Sequence, residues 1–222
     1  MARYAVVGLG RFGMTLVKLL AEAGEEVVAV DKDMDLIESV KELVSHAVCM
    51  DATDEKALRE QGLDRVDVLV AAIGENFEAN QLVTILAKQF GVPKVITRVA
   101  TSLQAQIMRL VGADEVICPE EESAQRLALR LINPNIVEHF ALAPGHRVVE
   151  MRSPKNFVGK SIRELDIRRR FHVNLVAIKR VRQKGGRTVE EVENIPDPDY
   201  VIQADDTLVF VGKDKDIADM GK

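Results

Sequence analysis

The sequence predicts an α/β protein, a doubly wound parallel sheet over residues 1–134 followed by a small α+β domain over 145–222, with 135–144 as a helical linker. Three observations predict it. Short apolar runs alternate regularly with amphipathic stretches through the first two thirds of the chain. A glycine loop, Gly8-Leu9-Gly10-Arg11-Phe12-Gly13, joins the first such run to a helical pattern, and Asp31 closes the next run 18 residues after Gly13. The regime then changes at Asn133-Pro134-Asn135, where Pro134 interrupts a helix.

Arg3–Val7 reads as the opening strand, Met14–Ala23 as the helix after the loop, and Glu26–Asp31 as the second strand. An amphipathic helix is expected over Asp35–Val44 and a third strand over Ala47–Met50. The strand runs into Asp51-Ala52-Thr53, which opens a short helix that Gly62 ends. Val68–Ile73 is almost wholly apolar, the pattern of a strand covered on both faces. A helix from Phe77 to Phe90 stops at Gly91, and Lys94–Val99 is the fifth strand. Thr101-Ser102-Leu103-Gln104 has capping-box form, Gly112 ends that helix, and Glu115–Ile117 is the sixth strand. Pro119-Glu120-Glu121-Glu122 then opens a long helix. Six strands in this alternation describe a Rossmann sheet.

After Pro134 a second helical piece, Ile136–Ala141, is expected to lead to Pro144-Gly145. Beyond it strands are expected at Arg147–Met151, Asn174–Arg182, near Glu190–Ile195, and at Thr207–Val211. Short helices fit Ser161–Asp166 and Asp214–Met220, and Lys184-Gly185-Gly186-Arg187 has the form of a hairpin turn.

The loop carries the chemistry. Gly8 permits the tight turn, Gly10 clears the backbone for a phosphate, and Gly13 lets the helix pack against the strand. The helix start offers free N–H groups and a positive dipole end to an anion. Asp31 is placed to accept from ribose hydroxyls and to repel a 2′-phosphate. By the rule that ligands lie outside the carboxyl ends of parallel strands, Asp51, Ala52 and Thr53 line the adenine side, and Ala72, Ile73 and Gly74 form the crevice wall. Thr53 reads equally as an N-cap. Lys32 is either near the adenine and ribose or a plain turn lysine. Arg98 ends its strand on the same rim, toward a phosphate or a partner subunit.

Formal net charge is −5, no signature of a nucleic-acid binder. The charge is uneven: residues 1–144 carry 14 basic against 22 acidic residues, and 145–222 carry 16 against 13, which suggests two modules with different partners. Cys49 and Cys118 lack metal or disulfide spacing, which fits a reducing cytosol. No apolar run approaches the length of a membrane span, and the opening strand is not a signal peptide, so any membrane role is expected to be peripheral. His46, His139, His146 and His172 stand without metal-site company, and no acid–base residue pairs with the crevice as hydride transfer requires. Two readings of the crevice stand open: a soluble NAD-linked oxidoreductase, or a free-standing nucleotide or redox sensor.

Both halves resemble the cytosolic regulatory subunits of Trk/Ktr-type potassium uptake systems, an RCK (TrkA-N) domain followed by a TrkA-C domain. The resemblance rests on Ala5–Gly13, Val28–Asp31, Asp51–Thr53, Ala71–Glu75, Gly112–Asp114 with Pro119-Glu120, Gly159–Leu165 and Thr207–Gly212. It implies a non-enzymatic subunit that gates a multispanning potassium-translocating membrane subunit. Such a subunit is cytoplasmic, peripheral on the inner face of the membrane, and paired into dimers that assemble into an octameric ring. It implies ATP or ADP, or NAD(H), as ligand, with Arg11, of the same or a neighbouring chain, at the terminal phosphate. By position alone Arg11 is also a solvated first-turn residue. Glu120 is implied to hold Mg²⁺ or Ca²⁺ between paired subunits, while helix-dipole complementarity accounts for it equally. Some members bind cyclic di-AMP. Here Ile162, Arg163, Arg168, Arg169 and Asn174 are the candidate residues, with a solvated basic loop as the alternative reading of the arginine run.

Overall fold

The computed structural model describes residues 2–184 and 187–220. It divides into two compact units, through Glu122 and from Ser123 onward.

In the first unit six strands pair in parallel: β1 (Arg3–Val7), β2 (Glu26–Asp31), β3 (His46–Cys49), β4 (Val68–Ala71), β5 (Lys94–Arg98) and β6 (Glu115–Ile117). Their order is β3-β2-β1-β4-β5-β6, the doubly wound order expected, with the direction of winding reversing between β1 and β4. Alternation along the strands explains the burial. Ala5, Val7, Val28, Val30, Leu69 and Ala71 join one core cluster, while Val6, Val27, Ala29 and Val70 join another. A strand whose two faces both meet helices has no polar side to show. The helices are α1 (Arg11–Glu22), α2 (Met34–Glu38), α3 (Glu55–Glu60), α4 (Phe77–Gln89) and α5 (Ser102–Val111); α6 (Pro119–Ile132) begins at the end of this unit. Val17 of α1 and Ile37 of α2 pack into the second cluster, and Leu58 of α3 with Val83, Leu86 and Ala87 of α4 into the first.

Some boundaries differ from expectation. The helix expected to reach Val44 ends at Glu38, and the strand expected to reach Ile73 ends at Ala71. Thr53 is not the cap of α3. Asp54 is, its carboxylate accepting from the amides of Lys56 and Ala57. At α5, Thr101 caps the Gln104 amide, but the Gln104 side chain accepts from Ala100, one residue short of a full capping box.

The second unit is an antiparallel sheet of β7 (Ile136–Ala143), β8 (His146–Arg152), β9 (Asn174–Lys184), β10 (Arg187–Glu193) and β11 (Thr207–Lys213), in the order β10-β9-β11-β8-β7. The helical linker expected over 135–144 is therefore corrected to a strand. Pro144-Gly145 does not stop a helix but turns the chain between paired strands, Ala143 opposite His146, with Gly145 at φ +72. Ladder bonds to β8 pair the inner edge of this stretch, whose backbone its local sequence would equally have offered to a helix. Short helices α7 (Ile162–Leu165), α8 (Ile167–Phe171) and α9 (Asp214–Met220) lie with this sheet, and Phe157, Leu165, Ile178, Leu208, Phe210 and Ile217 form its core. Strands β9 and β10 are paired, Lys184 opposite Arg187, while the Gly185-Gly186 tip of the expected hairpin lies outside the described residues.

Candidate functional site

The glycine loop sits where the winding reverses. Gly8 has φ +98, donates to the Val30 carbonyl at 2.8 Å, and a Cβ on it would come within 2.9 Å of the Ala72–Ile73 backbone. A Cβ on Gly13 would lie 1.9 Å from the Gly8 carbonyl oxygen, so α1 can approach only without one. Around Gly10 there is open space within 4 Å of the same test position, and no side chain caps α1 there. The first-turn amides of a twelve-residue helix therefore stand ready for an acceptor from outside the chain. Arg11 is exposed at this end, whereas Phe12 is half-buried and packs on the core that holds α1.

Asp31 does more than the sequence suggested. One carboxylate oxygen accepts from the Leu9 amide at 2.5 Å and the other from the Asp33 amide at 2.9 Å. It thus ties the glycine loop to the end of β2, with the remaining lone pairs available to a ribose. Lys32 is exposed beside it, and its carbonyl accepts from Cys49 Sγ at 3.4 Å. Asp51 Oδ1 accepts from the Thr53 amide and hydroxyl at 2.9 and 2.8 Å. Those bonds, with help from Lys32, hold the Asp51 carboxyl below the usual carboxylate range. Ala52 is buried under this turn, and Thr53 serves it rather than a helix.

The other half of the crevice is organised by a residue the sequence reading passed over. Asn80 of α4 is 1% exposed and uses every hydrogen-bonding group of its amide except one lone pair. Its Oδ1 accepts from the Ile73 amide at 3.2 Å, and its Nδ2 donates to Thr97 Oγ1 at 2.9 Å and the Arg98 carbonyl at 2.8 Å. The ends of β4 and β5 are thereby joined. The signal available in the sequence was an asparagine in the first turns of the helix that follows the Gly74-Glu75 turn, within Ala79-Asn80-Gln81-Leu82-Val83. Ile73, Gly74, Phe77, Asn80, Arg98, Val99, Ala100 and Gln104 enclose a small cleft here.

Arg98 lies over Gly74, its Nη1 only 2.1 Å from where a Cβ would stand, and Nη2 donates to Glu120 Oε1. This pairing holds the Glu120 carboxyl below its usual range. Within one chain these residues do not fit a divalent cation: the carboxylate already serves a guanidinium, and no group of three metal-ligating side chains occurs among the described residues.

In the second unit the candidate residues are dispersed along two short helices and the start of β9. Ile162 packs partly into the core, and Arg163 forms a fork with Asp199 at 2.7 and 3.3 Å. Arg168 and Arg169 are exposed on α8, not on a loop, with Arg169 reaching Asp166 at 4.0 Å. Asn174 is exposed at the start of β9.

A six-stranded doubly wound sheet with a glycine loop at its switch point, an uncapped helix start and an acidic residue closing β2 defines a nucleotide-binding class of domain, here joined to a small antiparallel α+β unit. Residues 4–119 match the TrkA-N domain family and residues 147–222 the TrkA-C domain family. The chain belongs to this family. It is 35% identical over 215 residues to the Ktr system potassium uptake protein C of Bacillus subtilis (strain 168), covering 97% of this chain and 94% of the relative. To the Ktr system potassium uptake protein A of Vibrio alginolyticus it is 29% identical over 216 residues, covering 97% and 94%. Among solved structures, the GsuK RCK domain superposes with TM-score 0.64 at 18% identity over 99% of this chain, which spans only 47% of that chain. The TrkA-N domain of the inner membrane protein ybaL from Escherichia coli gives 0.53 at 22% identity, over 59% of this chain and 97% of the other. At these identities the two structures speak for the fold.

Proposed function

We infer that this chain is a nucleotide-binding regulatory subunit of a potassium-uptake system. It works on the cytoplasmic side of the membrane through a multispanning potassium-translocating subunit. The observation that carries this is the end-to-end match, over 97% of the chain, to proteins named for potassium uptake, joined to an intact glycine loop. None of the helices among the described residues is long and apolar enough to cross a membrane, so the pore belongs to the partner in this reading. The role is ligand-dependent gating, not catalysis. The two units divide it, the first binding nucleotide and the second regulating.

The ligand is an adenine nucleotide: ATP, ADP or NAD(H). Its ribose is held by Asp31, its base lies beside Lys32, Asp51, Ala52 and Thr53, and its phosphates meet Gly10 and the start of α1. Ala72, Ile73 and Gly74 wall the crevice, and Arg11 meets the terminal phosphate of ATP as a bidentate donor. A nucleotide moves such a protein only through its different affinities for two conformations. Self-association into dimers and a ring is supported by α6, which buries none of its residues and exposes Leu127, Leu131 and Ile132. Mg²⁺ or Ca²⁺ at Glu120 requires a second carboxylate from a paired chain and the release of Arg98. Cyclic di-AMP at α7 and α8 has to draw Arg163 from Asp199.

The test is potassium uptake by the membrane subunit reconstituted with and without this protein, in ATP and in ADP, beside calorimetric titration with ATP, ADP, NAD⁺ and NADH. Nucleotide-dependent uptake that needs this chain is the expected result. Uptake indifferent to the chain, or hydride transfer by the isolated protein, overturns the reading.

A further inference from the structure

Arg98 is held at two points that differ in kind. Its backbone carbonyl is fixed by the buried amide of Asn80, which also grips the Ile73 amide and Thr97. Among the described residues its guanidinium is held by Glu120 alone, an ion pair whose acidic partner is 60% exposed, against 19% for the arginine. The backbone is thus anchored and the head group exchangeable, because an ion pair open to solvent on one side is worth little. The head group also occupies a telling place. It lies over Gly74, on the crevice wall reached through Ala72 and Ile73, whose backbone touches Gly8 of the glycine loop. Its Nε is buried without a hydrogen-bond partner, so one donor of the fork goes unused in the pairing with Glu120. A planar fork with a spare buried donor suits an oxyanion with several acceptors better than one exposed carboxylate oxygen.

We propose that Glu120 is a built-in competitor for Arg98, holding the guanidinium over Gly74 until the anionic group of a bound nucleotide takes it. Asn80 is the positioning residue that keeps Arg98 at the rim during the exchange. Glu120 stands in the first turn of α6, so the exchange takes place at the start of that helix. The inference rests on the nucleotide reading above and adds to it a contact that opposes binding.

The probes are ADP, which brings phosphates, and adenosine, which brings none, titrated calorimetrically into the full-length protein in EDTA. Four proteins are compared: the parent, Glu120→Gln, Arg98→Gln and the double variant. Removing the competitor is expected to tighten ADP two- to five-fold, the range of a solvent-exposed ion pair, and to leave adenosine unchanged. In the Arg98→Gln background the same change at Glu120 is expected to do nothing, which separates competition for Arg98 from general repulsion of phosphate by a carboxylate. Arg98→Met, of similar stem volume, replaces the glutamine variant if that one does not fold. Glu120→Gln that weakens or leaves ADP binding, or tightens it equally without Arg98, overturns the proposal. So does a loss of ADP affinity confined to Mg²⁺-containing buffer, which makes Glu120 a cation ligand instead. A parent protein that binds neither probe overturns the nucleotide reading and this inference with it, whereas a parent that binds both with an additive cycle overturns only the inference.

Discussion

Asp31→Ala is expected to injure the protein before any ligand is added. The carboxylate accepts from the amides of Leu9 and Asp33 and so braces the glycine loop against β2. Hydrogen bonds to a charged group contribute about 1.5–3 kcal/mol each when shielded. Asp31 is half-buried, and water can reach the freed amides, so the loss for the pair is expected at about 1–3 kcal/mol. For a chain of this size that lowers the melting midpoint of the ligand-free first unit by roughly 3–10 °C. Ribose binding is lost in addition, at about 3 kcal/mol for two hydroxyl contacts, a weakening of roughly a hundred-fold for ATP, ADP and NADH alike. The two losses are separable by assay, since calorimetric melting without nucleotide reads the first and titration well below the melting midpoint reads the second. Asp31→Asn divides them further, because its amide oxygen can still serve one backbone donor while its NH₂ opposes the other. An unchanged ligand-free melt refutes the brace. Tight NADPH binding by the parent, or unchanged ATP affinity in Asp31→Ala, refutes the ribose assignment.

Arg11→Ala should cost ATP more than ADP, by about ten-fold in the ratio of affinities, because ADP offers nothing to a guanidinium at the terminal phosphate; equal losses in parallel titrations return Arg11 to the solvent. Asn80→Ala leaves the Ile73 amide and the Arg98 carbonyl without partners at the ends of two strands, an expected loss of about 2–4 kcal/mol in urea unfolding. Hydrogen exchange at Ile73 should accelerate in that variant, and an unaltered Ile73 amide refutes the staple. Asp214 is held below its usual range by a fork from Arg147 at 2.5 and 2.6 Å. Its contribution to the second unit is therefore complete above the ordinary carboxylate range and fades as pH falls through the depressed folded value. Asp214→Asn should weaken that unit at neutral pH and flatten the acid limb of its stability curve. An acid limb identical to the parent's assigns the pairing no weight.

How much was legible beforehand follows from where the information lies. The strands, the glycine loop and Asp31 were readable because each is a local pattern: a short apolar run, a backbone that tolerates no Cβ, a residue closing a strand. The family resemblance was readable for the same reason, since its motifs are short contiguous runs. Ile136–Ala141, expected as a helix, belongs to the strand Ile136–Ala143 because a short mixed run satisfies either period, and what decides is a ladder partner, β8, supplied by the fold. Thr53 and Asp54 both have capping side chains, and only the turn formed with Asp51 shows which one opens α3. Asn80 carries no periodic signature in the sequence, and its meaning comes from the two strand ends that its amide joins. The pairing of Arg98 with Glu120 spans 22 positions and turns a rim arginine and an acidic helix start into one interacting unit. The sequence by itself thus determined the parallel sheet and the glycine loop, because these depend on residues near one another in the chain. The tertiary structure alone decided which polar groups already have partners, because hydrogen bonds and ion pairs depend on distance in space, which no local pattern encodes.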